Sequence, residues 1–259
     1  MKNNTKSGDF LLGCRLYALS IISIALVTLV WGDFDPGHPV PKTFPARNIL
    51  AYIEALFLLI TGVAIQWRRT TALAGEVLAA YYTLFVVILM NGRVILRNLT
   101  VYGAYSGMCE QLAIAAGALI IYASHARIDP VLSARLVRIG QVIFGLCALL
   151  FGGAHFVYMD LTAPLVPHWL PFGQVFWGYA TGVAHIAGGL AILAGVRARL
   201  AALLLTVMYA SFTPLVHLPM LLADPASHGE WSENALNLAL TAVAWVVWDS
   251  LACRRIADA

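Results

Sequence analysis

The sequence predicts an all-α, polytopic membrane protein with eight transmembrane helices, arranged as two four-helix bundles in parallel orientation. Of its 259 residues, 61% are hydrophobic and 11% are charged, whereas charged residues make up about 25% of an ordinary soluble domain. The mean hydropathy is +0.81. Eight apolar runs reach the roughly 20 residues needed to cross a hydrocarbon core of about 30 Å, and the pattern of the first four runs recurs in the last four.

Each predicted span is a continuous apolar run. The first follows the basic residues Lys2 and Lys6 and therefore invites comparison with a secretory signal. Its apolar part is too long for a signal peptide and no small-residue cleavage motif follows it, so we interpret it as a span. The predicted spans are residues 11–31, 49–66, 72–91, 107–124, 138–158, 172–194, 199–218 and 232–251.

The basic residues predict the orientation of the chain. Eight spans place both termini on one side with the second, fourth and sixth loops, and cytoplasmic segments are enriched in Lys and Arg. We therefore predict cytoplasmic termini in a bacterial-type inner membrane. The short basic clusters lack interleaved aromatic residues, so nucleic acid is not an expected partner. The side with the termini carries Lys2, Lys6, Arg15, Arg68, Arg69, Arg127, Arg135, Arg138, Arg197, Arg199, Arg254 and Arg255, and the other side carries only Lys42, Arg47, Arg93 and Arg97.

An internal repeat divides the chain into residues 1–124, a connector at 125–137, and residues 138–259. Each half contains a proline-bearing loop, an apolar helix with one ionisable residue, and a short arginine turn. The ionisable residue is Glu54 in the first half and His185 in the second. Because each half has an even number of spans, the two halves must share one orientation, which predicts an axis along the membrane normal.

The second copy carries a family resemblance between Pro164 and Arg199. The features that carry it are Pro167, Trp169, Pro171, residues 182–185 and 188–193, Arg197 and Arg199. In these features the stretch resembles the DoxX-like family of four-helix membrane proteins, and the first half resembles a more diverged copy. The resemblance implies a four-helix bundle per half and an association with membrane redox chemistry, although some members of the family have assembly roles. The family often has glutamate at the position of His185.

Polar residues of the second half are predicted to meet near one membrane surface. At about 1.5 Å per residue from the nearest basic turn, His155, His217 and Glu233 lie about 25 to 32 Å up, with Asn237 one turn below Glu233. His185 lies deeper, at about 18 Å. An ionisable side chain at such a depth is costly and is usually retained for a partner or a function. We therefore predict one polar pocket in the second half.

Three chemistries suit such a pocket. His155, His185 and His217 are candidate ligands of a transition metal, and His155 with His217 are candidate axial ligands of a haem iron. Alternatively, His185 and Glu233 would exchange the protons that accompany quinone chemistry, as catalytic residues. The cofactor would then contact His155, His217, Asn237, Trp169 and Trp177. The third chemistry is a polar path for a small solute or a proton.

Structural roles compete with these functions. A histidine at a helix end, such as His155, His217 or His228, usually reaches the interface or bonds a backbone carbonyl, whereas His185 and Glu54 lie further in. Our leading hypothesis is a redox-associated subunit with a quinone- or metal-binding pocket, whose partners are the bilayer and another membrane or periplasmic redox subunit. The alternatives are a non-enzymatic assembly or scaffold protein and a transporter.

Overall fold

The computed structural model describes residues 6–257, with side chains described for residues 12–252. All regular structure in this range is helical, and eight helices in it are long and apolar enough to cross a membrane. The protein is thus a multi-pass, all-α membrane protein, as predicted. The spanning helices are α1 (Lys6–Trp31), α2 (Arg47–Ile65), α3 (Thr71–Arg97), α4 (Tyr102–His125), α5 (Pro130–Val157), α6 (Gln174–Ala194), α7 (Ala198–Ala223) and α8 (His228–Ala257).

Several helices extend beyond the predicted apolar runs. Helix α4 begins at Tyr102 and α8 begins at His228, both earlier than expected. Polar residues in the outermost turns remain helical because they lie where the chain meets the membrane surface, where polar groups cost little. Glu110 and Glu233 therefore lie inside their helices, one or more turns from the N-terminal ends.

Helices α3 and α7 each contain a π-helical segment, at Tyr82–Asn91 and Thr213–His217 respectively. Pro214 lies in the second of these segments, and the helix continues beyond it to Ala223 after a local change of hydrogen-bond register. Proline has no N–H donor, so a carbonyl in the preceding turn loses its partner. The Asn237 side chain of α8 donates to the carbonyl of Tyr209 at 3.1 Å and supplies a substitute donor.

The two halves use the same pattern of helix packing. Helix α2 packs on α1 as α6 packs on α5, α3 packs on α4 as α7 packs on α8, and α1 contacts α8 as α5 contacts α4. A close approach repeats at corresponding places: a Cβ at Gly62 would lie 3.1 Å from the carbonyl oxygen of Ala18, and one at Gly189 would lie 2.7 Å from that of Gly145. The same number of residues separates Gly62 from Gly189 and Ala18 from Gly145. Superposition of the two halves by rotation about the membrane normal stays a prediction that this pattern favours.

The core lies where α1, α4, α5 and α8 meet. Tyr17 of α1 is fully buried, and its hydroxyl donates to the carbonyl of Ile114 in α4 at 2.8 Å. A Cβ at Gly117 would approach Tyr17 and Val243 to 2.9 Å. Such small residues let helix backbones approach closely. Close packing is needed in lipid because the hydrophobic effect does not drive helices together there. Helices α2, α3, α6 and α7 flank this centre and leave large apolar side chains exposed.

Candidate functional site

A cleft lies between α2 and α3 in the first half of the chain, with a volume of about 630 Å³. Its walls are mainly apolar and aromatic, and Ile53, Phe85 and Leu89 among them are about half exposed or more. Since these helices cross the membrane, the cleft opens sideways toward lipid. We call it the α2–α3 cleft. It is lined by Phe34, Pro39, Val40, Pro41, Phe44, Leu50, Ile53, Glu54, Phe57, Tyr81, Phe85, Leu89, Met90 and Arg93.

Glu54 and Tyr81 line the floor of the cleft, and His38 lies behind them, bonded to Glu54. Glu54 of α2 accepts hydrogen bonds on one carboxylate oxygen, Oε1, from the Tyr81 hydroxyl and from Nδ1 of His38. Glu54 is 6% exposed and His38 is 1% exposed. We call His38, Glu54 and Tyr81 the floor triad. The α2–α3 cleft thus has a buried, paired carboxylate in its lining.

The helical pattern of α2 explains why Glu54 points inward. The buried face of this helix carries Ala51, Ala55 and Leu58, together with Glu54 itself. Apolar residues with this spacing form the stripe that packs on a neighbouring helix. Glu54 therefore replaces an apolar residue in the packing stripe. That placement is stable because two donors satisfy its charge.

The loop at residues 32–46 delivers His38 to the floor and covers the outer end of the cleft. The Asn91 side chain donates to the carbonyl of Gly37 at 3.1 Å, and Arg93 donates to that of Pro39. Arg47 at the start of α2 binds Asp33 at 2.7 Å and also donates to a loop carbonyl. The start of α2 and the C-terminal part of α3 therefore both hold the loop in place.

Several charged or titratable groups face His38. Burial by itself opposes the charged imidazole, but the Glu54 carboxylate and then Asp35 attract the charge, so the pKa of His38 is raised above its ordinary value. The His38 ring also meets the edges of the Tyr82 and Tyr81 rings, at centroid distances of 5.5 and 6.4 Å. The raised pKa of His38 favours the protonated imidazole beside the Glu54 carboxylate.

Three buried polar atoms around the floor triad lack hydrogen-bond partners within the described part of the chain. They are Oε2 of Glu54, Oδ2 of Asp35 and the hydroxyl of Tyr82. Native proteins leave few buried polar atoms unpaired, because each costs about 1–3 kcal/mol. Of these three residues only Glu54 lines the cleft, so Oε2 of Glu54 is the unpaired acceptor next to it.

Glu233 lies with the first half rather than with the histidines. It interacts electrostatically with Asp35 and Glu230, and Glu110 interacts with both Glu233 and Asp35. The structure thus brings the starts of α4 and α8 to the loop that carries His38. The predicted pairing of Glu233 with His185 is not among these interactions.

Two of the predicted histidines do meet. The rings of His155 and His185 have centroids 5.1 Å apart, and His185 is 2% exposed. Nδ1 of His185 lies 2.8 Å from the carbonyl of Thr181, and Nδ1 of His155 lies 3.1 Å from that of Gly178. Both histidines donate to backbone carbonyls of α6, but only the bond from His155 joins α5 to α6, because His185 and Thr181 lie on the same helix.

His217 and Asn237 lie elsewhere and serve α7. His217 belongs to the π-helical segment, and its carbonyl accepts from the Asn234 side chain at 3.0 Å. Asn237 also donates to the hydroxyl of Thr213 at 2.8 Å. These contacts hold α8 against the irregular part of α7, where the Tyr209 ring also lies 5.3 Å from that of His185.

Of the two predicted tryptophans, Trp177 lines a second, smaller cleft and Trp169 does not. Trp169 is 73% exposed in the loop after α5. Trp177 donates to the carbonyl of Pro171 at 2.7 Å and lines a cleft of about 270 Å³ between α6 and α7, which we call the α6–α7 cleft. The separation between Gly62 and Gly189 matches Glu54 with Thr181 and Tyr81 with Met208. Thr181 and Met208 line the α6–α7 cleft, as Glu54 and Tyr81 line the α2–α3 cleft. The α6–α7 cleft has no carboxylate in its lining.

The structure does not favour the predicted metal site. Among residues 12–252, for which side chains are described, no three His, Cys, Asp or Glu side chains lie where they could hold a metal ion. His217 is missing from the pair formed by His155 and His185, and both paired rings use Nδ1 on backbone carbonyls. A metal or haem at these histidines stays a prediction without geometric support.

The comparison with known proteins concerns the second half. Residues 144–249 match a family described as Domain of unknown function (DUF8561). No curated protein and no solved structure matches the chain. The matched range includes the histidine pair and Glu233 but not the floor triad.

Sequence reasoning identified Glu54 but missed His38 and Tyr81. Glu54 carries a signal of its own, since it is the one ionisable residue in an apolar helix. His38 lies in a loop, where a histidine usually faces water, and Tyr81 lies in a run of aromatic and aliphatic residues. Only the fold of the 32–46 loop onto α2 and α3 brings the three together.

Proposed function

We propose that the protein is a quinone-linked membrane subunit that takes an isoprenoid quinone or quinol from the bilayer into the α2–α3 cleft. The observation that carries this proposal is the combination of an apolar cleft open to lipid with a buried, hydrogen-bonded carboxylate at its floor. A lipid-soluble ring with oxygen atoms needs both features. Apolar pockets with a few converging polar groups are typical small-molecule sites.

The walls suit a flat ring with an apolar tail. Phe57 and Phe85 flank Tyr81 at ring-centroid distances of 4.8 and 5.9 Å, so three aromatic rings line one side of the cleft. Aromatic pairs add about 0.5–1.5 kcal/mol beyond the area that they bury. The exposed side of the cleft would let an isoprenoid tail remain in lipid while the head group reaches the floor triad.

The polar groups suit proton exchange with such a head group. Tyr81, Glu54 and His38 form a continuous hydrogen-bonded series from the cleft to the covering loop. A histidine whose pKa lies above its ordinary value changes charge close to physiological pH. Electrons would come from or go to a separate redox subunit, the partner expected from the sequence. The resemblance to the DoxX-like family agrees with this role and stays a prediction.

A photoreactive quinone analogue would test the proposal in nanodiscs. After illumination, we expect labelled peptides from residues 47–97, and we expect excess unmodified quinone to prevent the labelling. The α6–α7 cleft is an internal control because it has similar surroundings but no carboxylate. Labelling that falls on α6 and α7, or that quinone does not prevent, would contradict the proposal.

The second half favours a different role, as a scaffold. Two of its buried polar side chains, His185 and Asn237, bond backbone carbonyls of their own or adjacent helices. These contacts stabilise helix packing without offering groups to a ligand. We therefore propose that residues 138–252 hold the first half in place and provide the surface for a partner subunit, which cross-linking in native membranes would identify.

A further inference from the structure

The protons of the floor triad are all directed away from the open space of the α2–α3 cleft. The Tyr81 hydroxyl has one proton and donates it to Glu54. Nδ1 of His38 also donates to Glu54, and the same imidazole hydrogen-bonds the side chain of Gln111. A neutral hydroxyl that donates to a carboxylate makes a strong, charge-assisted hydrogen bond. It is therefore not free to donate to a ligand.

What remains at the floor can only accept hydrogen bonds. The Tyr81 oxygen keeps a lone pair after donating its proton, and an ionised carboxylate has acceptor sites but no donor. Oε2 of Glu54 has no partner within the described residues, and this side chain is more than nine-tenths buried while it lines the cleft. A buried acceptor without a partner favours a ligand that brings a proton.

We infer that the α2–α3 cleft selects the reduced, hydroxyl-bearing form of its ring ligand, a quinol, over the corresponding quinone. This inference rests on the proposed function and specifies which redox form the site holds. A quinol hydroxyl donates to Glu54 or Tyr81, whereas a quinone carbonyl would face those oxygens with no proton between them. The carbonyl would lose its hydrogen bonds to water and gain none at the floor.

The rim of the cleft fits the second oxygen of the same ring. Arg93 lines the cleft and donates to the carbonyl of Pro39. A guanidinium has five N–H donors, so other donors remain for a ligand oxygen. The rim therefore offers donors and the floor offers acceptors. A dihydroxy ring satisfies both, because each hydroxyl group both donates and accepts.

The test compares two forms of one probe. Wild-type protein in detergent is titrated, without oxygen, with a decyl-substituted benzoquinone and with the hydroquinone obtained by reducing it, and tryptophan fluorescence or calorimetry gives both dissociation constants. We expect the quinol to bind at least about tenfold more tightly, the scale of a hydrogen bond to a charged group. Equal affinities, or tighter binding of the quinone, would overturn the inference. If neither form binds, the proposed function itself fails.

The variant Glu54→Gln tests the cause of the preference. It keeps the shape of the side chain but replaces one acceptor oxygen with an NH₂ donor. The ratio of quinone to quinol dissociation constants should fall to about one or below. Thr181→Val in the α6–α7 cleft is the matched control and should leave the ratio unchanged.

A third ligand separates hydroxyl recognition from attraction of a positive charge. If a decylamine binds more tightly than the quinol, the site recognises a cation and the inference is wrong. If Glu54→Gln fails to fold, the wild-type comparison of quinol with quinone and amine still decides the matter.

Discussion

Replacing Glu54 with alanine should destabilise the protein strongly, because it breaks a buried hydrogen-bonded pair. The change leaves Nδ1 of His38 and the Tyr81 hydroxyl without their acceptor. Glu54 is 6% exposed, so water does not reach these donors through the folded protein. Breaking a buried charge pair by removing one partner costs about 3–5 kcal/mol. We expect a loss of that size for Glu54→Ala and a similar loss for His38→Ala.

The double variant distinguishes a specific pair from two independent losses. If His38 and Glu54 stabilise the protein mainly through each other, removing both should cost little more than removing one. The coupling energy should then approach the cost of one single change, about 3 kcal/mol, which is the upper end for residues in direct contact. Unfolding in mixed micelles with increasing sodium dodecyl sulfate, followed by circular dichroism, measures all four proteins.

A control in the other half sets the scale. Thr181 bonds carbonyls of its own helix at 2.8 and 3.0 Å and lies at the matched position in α6. Thr181→Ala should cost less than about 1 kcal/mol, as do most polar contacts between or along membrane helices. A coupling energy between His38 and Glu54 below about 0.5 kcal/mol would refute the reasoning, because independent sites add within that error.

Three further predictions concern pH, packing and topology. Because the pKa of His38 is raised in the folded protein, its contribution to stability is full below the unfolded value of about 6.5 and is lost as the pH rises through the folded value. The stability difference between wild type and His38→Asn should therefore shrink toward alkaline pH in thermal melts, and a growing difference would contradict this. Asn237→Ala should lower stability by about 1–2 kcal/mol, since it removes the donor to the carbonyl of Tyr209, while quinol binding in the α2–α3 cleft stays unchanged. A cysteine introduced at Thr162 should react with an impermeant thiol reagent on intact cells, because the distribution of basic residues predicts that this loop lies outside. Reaction only after lysis would contradict the predicted topology.

The sequence by itself determined the class of fold. Runs of about 20 apolar residues bury their backbone polar groups only as helices in lipid, so composition and spacing were enough to predict eight spans. The sequence also singled out Glu54, because a charged residue in an apolar helix is expensive wherever the helix lies. The sequence did not identify the side chains that bond Glu54. The side chains that bond Glu54 come from a loop and from α3, 16 and 27 residues away in the sequence, so no local pattern links them to it.

Only the tertiary structure decided which half carries the more developed polar site. The histidines of the second half looked more informative in the sequence, yet His185 bonds the carbonyl of Thr181, and Glu233 lies beside Asp35. The loop that carries His38 folds onto α2 and α3 because Arg47, Asn91 and Arg93 bond its carbonyls and Asp33. Those contacts depend on the positions of three separate segments in space. Local pattern therefore fixes helices, whereas the convergence of side chains on the α2–α3 cleft follows from how the helices and the loop pack.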